Sequence, residues 1–569
     1  MNLMKNFVPM LLLGAVGCNK STEPAKQRPN VIVILTDDMG YQDVGFNGCK
    51  DIPTPNIDRV ANEGVCFTNG YVSYSVCGPS RAGLLTGRYQ ERFGFGRNPL
   101  FTPNDSNQGV PLSEEMIPAT LKREGYRSMA LGKWHLGTTP ELHPRSRGFD
   151  EFFGFLGGGH MYFPKNLNLD DYLDVNSQSA TYRTKILHNG ERVREKVYLT
   201  DAFSREAVSF IDKSSKEPFF LYLAYNAPHM PLQVTKKYLD RFSHIKNRRR
   251  RKYAAMVSAV DDGVGNILAK LKEKGIEDNT IVFFLSDNGG PEKYNASNNG
   301  VLRDGKRSLY EGGVHVPFAM RWPAQIKGGQ VYNKPVISLD IFATAVAYSG
   351  AKPKNPLDGV NIVPYITGEK KGTPHEQLAW RTFDTGSYAL RCGDKKIIKV
   401  GDQPQEIYNL KQDIGETTPL DNVSDQERSA LKDRVDSWQS ELKDPVFIGL
   451  HHGDEYDKLH PERWVYKKRI GNTYYIDPVN GSDDNRGFNK ETALKSFDRF
   501  KRVILLPGDT VKVKYDANIL TSISFKDVQG KAGNPIVFTH YGFPKGAKKD
   551  SSALNKILSP HGKYIEIIR

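Results

Sequence analysis

Residues 31–38 read Val-Ile-Val-Ile-Leu-Thr-Asp-Asp, an uninterrupted apolar run of mostly β-branched residues that stops at two acids. A half-exposed strand would alternate apolar with polar residues. A run apolar at every position is a strand buried on both faces, as in a parallel sheet covered by helices. The texture returns at Phe219-Phe220-Leu221-Tyr222-Leu223 and Ile281-Val282-Phe283-Phe284-Leu285, and more weakly at Ser128-Met129-Ala130-Leu131. Between them lie helical patterns, the clearest with Met256, Val257, Val260, Val264, Ile267, Leu268 and Leu271 on one face. Strands alternating with helices predict an α/β fold with a mainly parallel sheet flanked by helices. Each strand runs into polar, ionisable residues: Asp37-Asp38, Lys133 and His135, His229, and Asp287-Asn288. Ligands of open α/β sheets bind beyond the carboxyl ends of the strands, so these groups are predicted to converge.

At 569 residues the chain exceeds one core, and its formal charge of +14 points to an anionic partner. The run Asn247-Arg248-Arg249-Arg250-Arg251-Lys252 lacks interleaved aromatics, so it is read as a solvated helix start and no nucleic acid is expected. Lys5, the apolar residues 7–16 and Ala15-Val16-Gly17-Cys18 form an export signal that resembles a bacterial lipobox. Lipidation of Cys18, an N-terminal lipid anchor in the membrane and an outer-membrane or cell-surface location are therefore expected, with the periplasmic face as the open alternative. With Cys18 and Cys77 set aside, only Cys49, Cys66 and Cys392 remain, which is no disulfide framework. A Cys49–Cys66 bridge and unpaired thiols both stay open.

The predicted organisation is a signal peptide over 1–18, a tether over 19–28 and a catalytic α/β domain over 29–340. A smaller α+β C-terminal subdomain over 341–445, a polar linker over 446–470 and a short β-rich tail over 471–569 complete it.

Cys77-Gly78-Pro79-Ser80-Arg81, continued by Leu85-Thr86-Gly87-Arg88, resembles the signature of the type I, formylglycine-dependent sulfatases. The resemblance covers residues 29–445 and implies an alkaline-phosphatase-like core. It also implies a maturation enzyme that oxidises Cys77 to formylglycine (3-oxoalanine). A hydrated aldehyde offers two hydroxyls on one carbon, one to attack sulfur and one whose deprotonation expels sulfate. Asp37, Asp38, Asp287 and Asn288 are hard oxygen donors that suit calcium or magnesium. The resemblance makes them, with the oxidised Cys77, the ligands of one calcium ion. Gly132-Lys133-Trp134-His135-Leu136-Gly137, Ala227-Pro228-His229-Met230-Pro231 and Leu302-Arg303-Asp304-Gly305-Lys306 match further family segments. By resemblance, Arg81, Lys133 and Lys306 bind sulfate oxygens or steady the nucleophile, and His229, helped by Lys306, protonates the leaving oxygen. His135 takes the proton of the second hydroxyl, and Asp287 is the base for the first attack. One departure is His315, where relatives commonly carry Arg, which puts an ion pair behind the site in question. His143, Arg145 and His160 are weaker candidates for touching the sugar.

Residues 472–569 resemble the opening of a right-handed parallel β-helix, through Tyr475-Ile476-Asp477-Pro478, Pro507-Gly508-Asp509-Thr510-Val511 and Gly533-Asn534-Pro535-Ile536. Two or three coils are expected, either as a carbohydrate-binding appendage or as a vestigial, poorly stable tail. The expected function is hydrolysis of sulfate esters on a sulfated polysaccharide or its oligosaccharides, algal first and glycosaminoglycan next. Two alternatives are a phosphonate or phosphodiester hydrolase using the same aldehyde, and a catalytically decayed glycan-binding lipoprotein.

Overall fold

The computed structural model describes residues 28–465, 471–514, 528–542 and 565–568. The signal peptide, Cys18 with its expected lipid and the tether up to residue 27 lie outside the described residues, as do 466–470 of the linker and parts of the tail.

The run that opens the domain is the strand Asn30–Thr36, buried at every position. It lies at the centre of a ten-stranded sheet, parallel to Phe219–Ala224 on one side and Thr280–Ser286 on the other. Arg127–Lys133 follows, parallel to Phe219–Ala224, so the four strands expected from sequence are the adjacent central four. The margins are mixed. Phe318–Arg321 runs antiparallel to Thr280–Ser286, and the hairpin Ile186–His188 with Glu191–Val193 closes the other edge.

The alternation of a strand explains why both faces are apolar. Ile32 and Ile34 face a cluster with the helices Leu199–Ser214 and Arg248–Glu273. Val31, Val33 and Leu35 face the opposite cluster, with the helices Cys77–Thr86 and Asp340–Ser349. The helix Arg248–Glu273 is capped by Asn247, whose side chain accepts from the Arg249 and Arg250 amides, and Arg250 turns in to Asp43 and Asp51.

The helix Asp340–Ser349 packs on the helix Cys77–Thr86, so the boundary expected at 341 falls inside an element that shares the main core. The C-terminal subdomain proper is an antiparallel four-stranded sheet spanning residues 377–409, covered by the helix Asp425–Ser440. Buried charge joins it to the first domain. Lys396, with no exposed side chain, stands 2.8 Å from Glu311 and 2.9 Å from Glu416.

One expectation changes and one open alternative closes. Residues 446–465 are not a free linker: Arg97 donates to the Phe447 and Ile448 carbonyls, Arg463 to Phe101 O, and the buried Tyr456 to Asp105. Cys49 and Cys66 are free thiols, so no bridge joins them.

The described tail strands, Thr473–Ile476, Thr510–Lys514, Ile536–Tyr541 and Ile565–Ile568, pair in parallel in that order. The tail is docked on the catalytic domain. Val503 bridges Val193, Arg499 pairs with Glu191, and Tyr474, Phe500 and Val503 join the same apolar cluster as the catalytic helices.

Candidate active site

Register creates the site. Thr36 pairs with Ser286, Leu35 with Ala224, and Ala224 with Gly132, so all four strands end at one level. The next residues, Asp37-Asp38, Asp287-Asn288 and Lys133, therefore share one place, as expected from sequence. Gly132 is what allows the close passage. Its φ is +91°, and a Cβ there would stand 1.9 Å from the Ala224 carbonyl oxygen.

Cys77 starts the helix Cys77–Thr86 and is 2% exposed. The next amide, of Gly78, donates to Asn98 Oδ1 at 2.8 Å, a contact that no sequence pattern announces. Burial pushes the Cys77 thiol above its ordinary pKa, with Lys133 and Lys306 opposing. One turn on, Arg81 is wholly buried: Nη2 lies 2.7 Å from Asp287 Oδ2, and Nη1 donates to the Lys133 carbonyl at 3.0 Å.

Three carboxylates meet three cations here. Lys133 Nζ donates to Asp37 at 2.7 Å, Lys306 Nζ lies 2.7 Å from Asp38, and Arg81 holds Asp287. Burial opposes ionisation of Asp38, yet the charge of Lys306 holds its carboxyl well below the usual range. Burial, then the charge of Asp37, pushes Asp287 up to about 6. Burial of Lys133 and partial burial of Lys306 oppose their charge, yet Asp37 keeps Lys133, and Asp38 keeps Lys306, above the ordinary lysine pKa.

The oxygen donors fit a hard divalent cation. Asp37, Asp38 and Asp287 each bring a carboxylate oxygen to within 4.8 Å of the others. Asp37 Oδ1 and Asn288 Oδ1 are buried without a hydrogen-bond partner among the described residues, while Asn288 Nδ2 donates to Asp38 at 2.8 Å. Unsatisfied buried oxygens are costly, and a bound cation would satisfy both.

Two histidines flank this cluster. His229 Nε2 stands 3.6 Å from Asp38 Oδ2, and its Nδ1 is 2.6 Å from the Met230 carbonyl. Burial, then Lys306 and Lys133 against the pull of Asp38, lowers His229 to about 3, so it is neutral before substrate arrives. The Tyr162 hydroxyl anchors its loop, sharing its one proton between Asn226 O at 2.5 Å and His229 O at 2.7 Å; sequence reasoning missed this residue, which sits in no motif. His135 is buried, and burial with the charges of Lys133 and Arg81 drives its pKa well below 6.5.

The remaining candidates separate. His160 is 1% exposed and stacked on Phe155, so it packs the core and cannot touch a sugar. His143 and Arg145 line a different cavity, of about 520 Å³. His315 fills the place expected for Arg with Nδ1 3.0 Å from Glu311 and Nε2 2.9 Å from the Thr68 carbonyl; the carboxylate keeps a partner.

Beyond the ends of the central parallel strands lie a buried oxygen-donor cluster, a cysteine at a helix start and fixed cations, and the family matches that follow make the chain a sulfuric ester hydrolase of alkaline-phosphatase-like fold. The chain belongs to the sulfatase family: residues 29–351 match the family model "Sulfatase", and residues 303–443 match "N-sulphoglucosamine sulphohydrolase, C-terminal". It is 33% identical over 482 residues to the N-acetylgalactosamine-6-sulfatase of Mus musculus, covering 77% of this chain and 90% of the relative. Among solved structures, Ps i-CgsB in complex with k-i-k-neocarrahexaose is 41% identical with a TM-score of 0.70, covering 76% of this chain and 98% of that one. The PsFucS1 sulfatase from Pseudoalteromonas sp. is 25% identical with a TM-score of 0.64, covering 73% and 90%.

Proposed function

We propose that this sulfatase removes sulfate from a sulfated polysaccharide or its oligosaccharides, with carrageenan-type algal galactans as the favoured class. The observation that carries this reading is the 41% identity, over nearly the whole of the other chain, to a protein crystallised with k-i-k-neocarrahexaose. The net charge of +14 supports an anionic polymer as substrate.

Oxidised by a maturation enzyme to formylglycine, Cys77 would supply the paired hydroxyls that attack sulfur and later release sulfate. Asp37, Asp38, Asp287 and Asn288 would hold calcium, which supplies Lewis acidity to the nucleophile and a sulfate oxygen. Arg81, Lys133 and Lys306 orient the sulfate oxygens, fixed cations in a water-poor site. Asp287 accepts the proton of the attacking hydroxyl. Lys306 is charged beside His229, and a bound sulfate ester adds negative charge that favours protonated His229; together they deliver a proton to the leaving oxygen. His135, held neutral by burial, accepts the proton of the second hydroxyl. The N-terminal signal and Cys18 support export as a lipid-anchored protein of the outer membrane or cell surface.

The test is sulfate release from a panel of carrageenan and glycosaminoglycan oligosaccharides, with an aryl sulfate and an aryl phosphodiester alongside and Cys77→Ala as control. Release from carrageenan oligosaccharides, abolished in Cys77→Ala, is expected. A large preference for the phosphodiester would overturn the reading. So would an unmodified Cys77 thiol, by mass measurement, in active protein from the native host.

A further inference from the structure

The catalytic lysine stands at the inner end of a second feature. A cleft of about 620 Å³ runs from Lys306 between the loop 290–310 and the edge of the C-terminal sheet, and is lined by Tyr294, Arg307, Tyr310, Thr382 and Thr385. That volume suits a bound sugar unit. Lys306 and Arg307 are neighbours in sequence but serve opposite sides. Lys306 turns inward to Asp38 at 2.7 Å, whereas Arg307 is exposed.

The backbone enforces the division. Arg307 has φ +78°, a left-handed conformation unfavourable for a long side chain, and its amide donates to the Ser75 carbonyl at 2.9 Å, two residues before Cys77. Its guanidinium makes no hydrogen bond or ion pair among the described residues. Other arginines nearby are engaged: Arg97 is bound to Asp384 at 2.9 Å, and Arg303 donates to Tyr408 at 3.0 Å and stacks on Tyr310. Tyr294, 65% exposed, offers an aromatic face in the same cleft, the surface on which the apolar face of a sugar ring packs.

We propose that this cleft binds the sugar next to the one that loses its sulfate, and that Arg307 grips a second sulfate carried by that neighbour. The proposal rests on the reading of the substrate as a sulfated oligosaccharide. Guanidinium presents paired N–H donors that match two sulfate oxygens, and an exposed, unpaired arginine gives up little to do so. Arg307 stands outside the buried cluster, where Arg81, Lys133 and Lys306 already serve the reacting sulfate. It is thus a specificity determinant, favouring substrates sulfated on consecutive sugars.

The experiment compares the full-length mature enzyme with Arg307→Asn, Arg307→Lys and Tyr294→Ala on oligosaccharides of equal length carrying one sulfate or two on adjacent sugars. Asn is chosen because it tolerates left-handed backbone. The parent should favour the doubly sulfated substrate about tenfold or more in kcat/KM. Arg307→Asn should raise KM for that substrate about 10–100-fold, at least about tenfold more than for the singly sulfated one, with part of the loss recovered in Arg307→Lys. Tyr294→Ala should weaken both substrates alike. Equal losses on both substrates in Arg307→Asn, or an unchanged preference, would overturn the assignment of Arg307 alone. If the parent cleaves an aryl sulfate but no oligosaccharide, the carbohydrate reading falls first and this proposal with it.

Discussion

Adding calcium should stabilise the folded chain as well as support turnover, and Asn288→Ala separates a metal effect from a general one. At this site two buried oxygens, Asp37 Oδ1 and Asn288 Oδ1, have no hydrogen-bond partner among the described residues, beside a cluster of three carboxylates. A cation that binds only the folded state adds RT ln(1 + [L]/Kd), about 2.7 kcal/mol when its free concentration is about 100 times Kd. Replacing Asp287 would be a poor probe, because Arg81, 0% exposed, would lose its nearest anion and the metal-free protein would itself be crippled. Asn288→Ala uncovers no charge. It removes the hydrogen bonds from Nδ2 to Asp38 and to the Gly289 carbonyl, worth about 2 and about 1 kcal/mol, and one metal ligand. If that ligand carries about tenfold in affinity, the increment at the same calcium concentration drops from about 2.7 to about 1.4 kcal/mol. Thermal unfolding with chelator and with calcium, on both proteins, measures the two increments. An increment equal in parent and variant, or none in the parent, would refute the assignment of Asn288 and the acids as the cation site.

Lys396→Met should destabilise the protein by about 3–5 kcal/mol in denaturant unfolding, because Glu311 and Glu416 would lose the cation they share; a loss under about 1 kcal/mol would contradict that network. His229→Gln should slow release from sugar sulfates about 10²–10⁴-fold but affect an aryl sulfate with an acidic phenol much less, since that leaving group needs no proton. Equal losses in kcat would remove His229 as the acid. Glu91, 2% exposed, is pushed by burial up to about 8, so the native state keeps a proton that the unfolded chain sheds above about 4.5. Stability should therefore fall as pH rises through that window, by up to about 1.4 kcal/mol per unit, and Glu91→Gln should flatten the fall in thermal scans from pH 5 to 8.

What could be read from sequence was whatever a periodic pattern or a compact motif expresses. Asn30–Thr36 is buried on both faces, and its unbroken apolar run says so. The convergence of Asp37, Lys133 and Asp287 followed from one rule about strand ends. The packing of residues 446–465 was hidden because few apolar side chains hold it: Arg97 and Arg463 grip backbone carbonyls, and any sequence supplies carbonyls. Tyr162 and Asn98 were hidden for a related reason, since each acts on the backbone of another segment, Tyr162 on the loop carrying His229 and Asn98 on the helix start beside Cys77. His160 misled because a histidine in a loop reads as polar, whereas its ring stacks on Phe155 like any aromatic. Docking of the tail rests on Val503 and Phe500, single apolar residues without a repeat to flag them.

The matched set of three carboxylates and three cations has a thermodynamic consequence. Each cation meant for an anion is at rest committed to an acid: Lys133 to Asp37, Lys306 to Asp38, Arg81 to Asp287. Once those acids turn to a divalent ion, the positive groups are released to receive sulfate, so one ligand prepares the place of the other. Such coupling is reciprocal by necessity. Inorganic sulfate should therefore tighten calcium retention by the factor with which calcium tightens sulfate, so that the enzyme would guard its own metal wherever sulfate is abundant.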